Sequence, residues 1–166
     1  KAGLAQIEKD FDGDILVLCG DTPLLQEETI SELLNAHRLT QNTVTILTAN
    51  IQNPFGYGRI KRDKTGNVLA IVEEKDASLE ERKITEINSG VYCFNYSALK
   101  NAIIKIEPNN VKNEYYLTDA IKIIYKNSGK IGTYITHNLD ETLGINDKKA
   151  LSLANQIKQK QINYKW

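Results

Sequence analysis

Residues 15–25, "ILVLCGDTPLL", contain five consecutive apolar residues that end at a glycine and an aspartate. A continuous apolar run of this length, partly β-branched and closed by glycine and proline, predicts a β-strand that is buried on both faces. Such strands belong to parallel α/β sheets, in which ligands bind just beyond the carboxyl ends of the strands. Asp21 stands at that position, although an aspartate also commonly opens a turn before a proline. The spacing alone leaves both interpretations of Asp21 open.

The composition narrows the class of protein. A chain of 166 residues fits one domain with a substantial core. Lys+Arg and Asp+Glu number 21 each, so the net charge is zero and we expect no nucleic-acid or membrane surface. No apolar run approaches the roughly 18 residues of a membrane span, and no secretory signal is visible. We therefore expect a cytoplasmic protein, in which Cys19 and Cys93 are buried reduced thiols in strand-like runs.

Methionine is absent from the chain, even at position 1. Because translated chains normally begin with methionine, we expect this sequence to be a piece of a longer protein.

Hydrophobic periodicity predicts alternating helices and strands. The predicted helices cover residues 1–10, 26–38, 118–128 and the region from 146 onward. The predicted strands cover residues 43–48, 58–63, 68–73, 89–96 and 131–137, and the second and third form a hairpin. Thr118 and Asn146 stand where helix N-caps belong. The pattern is that of an α/β fold with a mixed, mainly parallel sheet, helices on both faces and an antiparallel hairpin insertion.

The helical spacing also predicts which side chains face the core. They are Ala2, Leu4, Ala5, Ile30, Leu33, Leu34, His37, Ile121, Ile124, Tyr125, Ala150, Leu153, Ala154 and Ile157. His37 and His137 lack the neighbours of a nucleophilic triad, and no His/Cys spacing typical of a metal site occurs. We interpret both histidines as structural or surface residues.

Six short polar motifs follow the predicted strands. They are "CGDTPLL" (19–25), "PFGYGRI" (54–60), "IVEEKDA" (71–77), "EINSGVY" (86–92), "NEYYLTD" (113–119) and "LGIND" (143–147). Each motif alone has an ordinary explanation as a loop, a turn, a hairpin end or a helix cap. The six in this order are far more specific.

Together these motifs resemble the uridylyltransferase half of the bacterial bifunctional N-acetylglucosamine-1-phosphate uridylyltransferase / glucosamine-1-phosphate acetyltransferase family. The resemblance runs from about residue 10 to about residue 160. The "GD-PL" element alone is shared by many sugar nucleotidylyltransferases. The resemblance implies a Rossmann-like nucleotidyltransferase fold of the GT-A-like type, and transfer of a uridylyl group from UTP to N-acetylglucosamine 1-phosphate.

The resemblance also implies a set of site residues. Asp21 and Asn146 would be the catalytic residues and the protein ligands of Mg²⁺. The sugar-phosphate contacts would fall to Gly20, Gly58, Glu73, Asn88, Tyr116 and Thr118.

The same family has a glycine-rich phosphate loop and a uracil-selecting stretch before the matched region, and a left-handed β-helix acetyltransferase half after it. We therefore expect residues 1–166 to be a partial nucleotidyltransferase domain that lacks its N-terminal nucleotide-binding part and is inactive alone. The resemblance further implies a homotrimer formed through the acetyltransferase half, with no nucleic-acid or membrane partner.

Three other interpretations compete. One is a sugar-1-phosphate thymidylyltransferase using dTTP and glucose 1-phosphate, against which "EIN-G" and "NEYYLTD" argue. Another is a receiver-type signalling domain with Asp21 as phosphoacceptor, but the required upstream acidic pair and later lysine are missing from the sequence. The third is a non-catalytic fragment that binds the sugar phosphate.

Overall fold

The computed structural model describes residues 3–8 and 10–164. Within them the chain forms six strands and four α-helices. In chain order these are β1 (Asp14–Val17), α1 (Glu27–Leu39), β2 (Val44–Asn50), β3 (Arg59–Arg62), β4 (Val68–Val72), β5 (Glu86–Asn95), α2 (Tyr96–Ile103), α3 (Asp119–Lys126), β6 (Ile131–Ile135) and α4 (Lys148–Tyr164). Short 3-10 turns lie at Gly3–Gln6, Glu81–Lys83 and Leu139–Thr142.

The six strands form one mixed sheet around β5. β2 pairs with β5 along one edge, and β6 lies outside β2 in parallel. On the opposite edge β1 pairs with the carboxyl half of β5, and β3 pairs with its amino half. β3 and β4 form the expected antiparallel hairpin. Among the described strands only β2 and β6 pair in parallel, but β1, β2, β3 and β6 all run in the same direction.

Helices cover both faces of the sheet, as the α/β pattern predicts. One core lies between the sheet and α2 and α3, and it includes Ile46, Phe94 and Ile121. The other lies beneath α1 and includes Leu33 and Val91.

Residues 15–17 of the apolar run lie in β1, and Leu18 and Cys19 lie beyond its end. Ile15 and Val17 pack on one core and Leu16 packs on the other, which explains why the run is continuous rather than alternating. All four β1 residues are only half-buried, because β5 is the one described strand that pairs with β1. The prediction of full burial on both faces is therefore wrong.

The predicted N-terminal helix is also wrong within the described residues. Residues 3–6 form only a single 3-10 turn, Ala5 is exposed and Leu4 is half-buried. Ala2 lies outside the described residues.

Three further details differ from the helical predictions. Tyr125 and Leu153 are 42% and 47% exposed, whereas Ile124 and Ala154 beside them are buried as predicted. The sequence interpretation missed α2 altogether. That helix is eight residues long, and the side chain of Asn95 accepts a hydrogen bond from the Ala98 amide at its start.

Neither predicted N-cap acts as one through its side chain. Thr118 precedes α3 but makes no capping bond, and its hydroxyl instead donates to Glu73 at 2.9 Å. At the start of α4 the Asp147 carboxylate accepts from the Ala150 amide at 2.7 Å. Asp147 therefore caps α4, and the Asn146 side chain is available for another role.

The two cysteines differ in their surroundings. Both are free thiols, as expected. Cys93 is fully buried, but Cys19 follows the end of β1 and is exposed, so its predicted burial is wrong. Within residues 3–8 and 10–164 no helix has both the length and the hydropathy that crossing a bilayer requires.

We predict that Glu81 stabilises the hairpin region at neutral pH and loses this effect in acid. Its carboxylate accepts from Lys61 and from the Ser78 amide, which lowers the pKa of Glu81 to about 2 from 4.5. Because the folded-state pKa is depressed, this stabilisation is present above pH 4.5 and is lost as the pH falls toward 2. Glu81→Gln keeps a capping side chain and should lower the free energy of unfolding by about 1 kcal/mol at pH 7.

Urea unfolding between pH 7 and pH 3 measures this effect. The difference between wild type and Glu81→Gln should shrink as the pH falls. Glu80→Gln is the control, because Glu80 and its partner Lys83 are both exposed. A difference that is constant with pH would contradict the prediction.

Candidate functional site

The candidate site lies where β5 has no strand on one edge. Along β5, the pairing with β1 extends from Asn95 back to Tyr92, and the pairing with β3 is at Ile87. A cleft of about 620 Å³ opens beside the stretch between them. It is lined by Cys19, Asp21, Thr22, residues 55–58, Glu73, residues 88–90, Gly144, Asn146, Asp147 and Ala150. Five of the six sequence motifs therefore contribute to one cleft.

Asp21 and Asn146 reach the same space from two loops. The Ile145 amide donates to the Asp21 carbonyl oxygen at 2.8 Å, which joins the loop after β1 to the loop before α4. An ideal Cβ on Gly144 would lie 3.7 Å from Asp21 Oδ2 and 3.4 Å from Asn146 Nδ2. Glycine at 144 thus leaves open the space that both polar side chains border.

Gly58 marks the other end of the cleft. A Cβ there would lie 2.9 Å from Ile71 Cγ2, 3.5 Å from Glu73 Oε2 and 3.6 Å from Asn88 Cβ. The backbone N–H of Asn88 also donates a hydrogen bond to the Gly58 carbonyl oxygen at 2.9 Å. Position 58 therefore admits only glycine without displacing its neighbours, and this brings Glu73 and Asn88 together.

The Asn88 side chain is held from both of its ends. Its amide nitrogen donates to the Tyr92 hydroxyl at 2.7 Å, and its oxygen accepts from the Gly90 amide at 3.1 Å. Gly90 has a φ of 81°, and a Cβ there would lie 2.4 Å from Cys19 Sγ. The thiol of Cys19 donates to the Gly90 carbonyl at 3.3 Å and so fills the edge of β5 that no strand covers.

Thr118 and Tyr116 lie in an adjoining cavity. The cavity has a volume of about 190 Å³ and includes Glu73, Thr118 and Tyr116 in its lining. Because Thr118 binds Glu73 Oε1, while Glu73 Oε2 lies toward Gly58, the one carboxylate borders both spaces. Gly20 is exposed and lines neither cavity.

A buried ion pair supports the loop that contains Gly58. Arg59 is 2% exposed, and its guanidinium donates to Glu74 Oε2 at 2.6 Å and to the Tyr57 carbonyl. Glu74 Oε2 also accepts from the Gly56 amide at 3.2 Å. Burial tends to raise the pKa of Glu74, but Arg59, the Gly56 amide and Arg82 outweigh it and lower that pKa.

The carboxylates of Asp21 and Glu73 give the cleft a negative electrostatic potential. Desolvation raises the pKa of the Cys19 thiol, and the carboxylates of Asp21 and Glu73 raise it further. The same charges favour a cation in the cleft.

Comparisons with known proteins show the family of the chain. A family model described as "Nucleotidyl transferase" matches residues 2–140. The chain belongs to the nucleotidyl transferase family. It is similar to the protein named "Bifunctional protein GlmU" in Acetivibrio thermocellus, with 51% identity over 149 residues. The corresponding protein of Halalkalibacterium halodurans is 47% identical over 154 residues.

The chain is matched over 90% and 93% of its length by those two relatives, but it spans only 32% and 34% of theirs. They confirm the resemblance that the motifs indicate. A solved Bacillus anthracis structure described as a glucose-1-phosphate thymidylyltransferase superposes with a TM-score of 0.59 and 16% identity, covering 85% of this chain and 54% of that one. That likeness confirms the α/β fold.

Several residues of the candidate site were missed in the sequence interpretation. Arg59 and Glu74 lie inside two of the quoted motifs, and their adjacency to Gly58 and Glu73 was the available signal. Tyr92 follows Asn88 by four residues in an apolar strand, so nothing in the sequence indicated that it holds the amide of Asn88.

Proposed function

We propose that this chain supplies the metal-binding and sugar-phosphate-binding part of an enzyme that transfers a uridylyl group from UTP to N-acetylglucosamine 1-phosphate. The products are UDP-N-acetylglucosamine, a cell-wall precursor, and pyrophosphate. The observation that carries the proposal is the convergence of Asp21 and Asn146 on one space, in a cleft that also contains Gly58, Glu73 and Asn88.

A magnesium ion fits the residues at the Asp21 end. The carboxylate and the amide oxygen are hard ligands, and Mg²⁺ usually takes one or two protein ligands together with phosphates and waters. Gly144 has no side chain to fill the space between them. Since Asp21 is the one charged member of the pair, Mg²⁺ there would keep enough positive charge to neutralise the nucleotide phosphates.

The Gly58 end suits a sugar phosphate. Thr118 holds one oxygen of Glu73 and leaves the other toward the cleft, and the contacts of Asn88 with Tyr92 and Gly90 fix its amide in one orientation. A carboxylate and an amide in fixed orientations can accept from sugar hydroxyls and pair with an N-acetyl group. We propose Tyr116, in the adjoining cavity, and Gly20 as further contacts.

The chemistry requires no general base from the protein. The second pKa of a sugar phosphate is near 6, so the attacking oxygen is already largely anionic at neutral pH. Catalysis then consists of aligning two anions and neutralising the charge between them. This agrees with a cleft whose lining contains carboxylates and amides but neither histidine.

We further propose, from the resemblance, that the chain is one part of a longer enzyme. That enzyme would be cytoplasmic and homotrimeric, and residues 1–166 alone would be inactive. Its activity should be assayed in the complete protein. Pyrophosphate release with UTP and N-acetylglucosamine 1-phosphate would support the proposal. Faster release with dTTP and glucose 1-phosphate would instead favour a thymidylyltransferase, and release with no pair would favour a sugar-phosphate-binding protein.

Asn146→Ala separates a metal-binding role from a structural one. Because Asp147 caps α4, removing the Asn146 side chain should leave the free energy of unfolding unchanged within about 0.5 kcal/mol. The rate at low Mg²⁺ should fall at least about tenfold. Asp147→Ala is the stability control and should destabilise the protein by about 1 kcal/mol. A wild-type rate for Asn146→Ala at low Mg²⁺ would remove Asn146 from the proposed metal site.

A further inference from the structure

A second group of ligand-type side chains lies away from the cleft, on the α1 face of the sheet. Asp14 opens β1, Cys93 lies near the end of β5, and His37 projects from the last turn of α1. A carboxylate oxygen, an imidazole nitrogen and the thiol sulfur of these residues lie within 4.8 Å of one another. We call these three residues the Asp14–His37–Cys93 cluster. It lies at the opposite end of β1 from Asp21.

The distances within the cluster resemble those of a tetrahedral site. His37 Nε2 lies 3.3 Å from Asp14 Oδ1. Metal–nitrogen and metal–oxygen bonds of about 2.0–2.1 Å at a tetrahedral zinc place those two atoms about 3.3 Å apart. The sulfur lies within 4.8 Å of both atoms, and a third tetrahedral corner with a metal–sulfur bond of about 2.3 Å would bring it to about 3.5 Å from each.

His37 is already oriented for such a role. Its side chain is 3% exposed, and its Nδ1 lies 2.9 Å from Thr45 Oγ1, which also accepts from Asn42 at 2.9 Å. A metal-binding histidine usually donates its other N–H to a fixed acceptor. The Thr45 hydroxyl provides that acceptor and leaves Nε2 facing Asp14.

The side chain of Cys93 contributes to the fold through packing alone. Among the hydrogen bonds of residues 3–8 and 10–164, none involves its thiol, and the residue is fully buried. Burial raises the pKa of Cys93 to about 11, and the Asp14 carboxylate adds to the rise. The thiol is therefore protonated when no metal is bound, with a carboxylate and an imidazole as its polar neighbours.

We propose that the Asp14–His37–Cys93 cluster binds a divalent transition-metal ion of the Zn²⁺ class. Binding displaces the thiol proton, and the imidazole binds through Nε2 with its own proton on Nδ1. The thiolate and carboxylate then balance the two charges of the ion, and Arg38 stays beside the other Asp14 oxygen at 3.4 Å. Asp14 is 25% exposed, so it provides the entry path and room for a water as fourth ligand.

The proposed ion would join β1, α1 and β5 and would stabilise the fold rather than take part in the reaction. It would also differ in kind from the proposed ion at Asp21. A soft thiolate ligand selects zinc-like ions, whereas Mg²⁺ prefers oxygen ligands and would not compete for the cluster.

Cobalt(II) is the probe, because a thiolate ligand gives it a charge-transfer absorption in the near ultraviolet. The titration uses the protein carrying Cys19→Ser, so that the exposed thiol cannot contribute to the absorption. Excess Mg²⁺ is present throughout. We expect this absorption to saturate at one equivalent of Co²⁺ and Zn²⁺ to reverse it. Asp21→Asn should leave the absorption unchanged.

Cys93→Ser should abolish the absorption, and circular dichroism checks that this variant folds. His37→Gln and Asp14→Asn keep the thiol and should weaken Co²⁺ binding at least about tenfold. Absence of the absorption in the Cys19→Ser protein would overturn the proposal and leave the cluster as a hydrogen-bonded packing group. An absorption unaffected by the Asp14 and His37 variants would overturn it equally.

Discussion

Replacing Asp21 by Asn should lower the rate of nucleotidyl transfer in the complete enzyme by about 100- to 1000-fold at fixed Mg²⁺. The amide keeps the size of the side chain, so the cleft near Gly144 should retain its shape. What changes is the charge, because Asp21 is the one carboxylate of the proposed metal pair. The measurement is pyrophosphate release as a function of Mg²⁺ concentration. The concentration giving half-maximal rate should rise as the rate falls.

Asp12→Asn is the matched control for Asp21→Asn. Asp12 is exposed and outside the cleft, so this substitution makes the same change in net charge without touching the site. Its rate should stay within twofold of wild type. Equal losses in the two variants would indicate a general charge effect, and an unchanged rate in Asp21→Asn would exclude a metal role for Asp21.

Much of the α/β arrangement could be predicted from the sequence, because local patterns encode it. The apolar run before Asp21 predicts a strand, and the hairpin and α1 each have a hydrophobic pattern that the fold retains. The early end of β1 could not be predicted in this way. Leu18 and Cys19 continue the apolar run, but the pairing of β1 with β5 stops at Val17 opposite Tyr92, although β5 itself continues to Glu86. Strand length here depends on a residue more than seventy positions away.

The candidate site could likewise be predicted only in part from the sequence. The six motifs together indicated Asp21, Glu73 and Asn146 through their resemblance to a known family, whereas each motif alone left an ordinary structural explanation open. That Thr118 binds Glu73 instead of capping α3 could not be read from a sequence in which threonine before a helix is the expected cap. Function and capping use the same residue types, and only the three-dimensional contacts separate them.

Glu74→Gln should be the most destabilising conservative substitution near the cleft. It keeps an oxygen for the Gly56 amide and for Arg59, but it leaves the guanidinium of Arg59, 2% exposed, without its countercharge. Removing one partner of a buried ion pair lowers the free energy of unfolding by about 3–5 kcal/mol. Because the pKa of Glu74 is lowered in the fold, this loss should be full near pH 7 and should shrink as the pH falls below the ordinary range of a glutamate.

Urea unfolding measures the stability of Glu74→Gln, and sugar-phosphate kinetics in the complete enzyme measure its effect on the cleft. Since Glu74 holds the loop from Gly56 to Gly58, we expect KM for N-acetylglucosamine 1-phosphate to rise while the Mg²⁺ dependence stays that of wild type. Glu114→Gln is the control, because Glu114 and its partner Lys112 are both exposed, and it should cost less than about 1 kcal/mol. A stable Glu74→Gln with unchanged KM would mean that the ion pair neither supports the loop nor positions the sugar-binding end of the cleft.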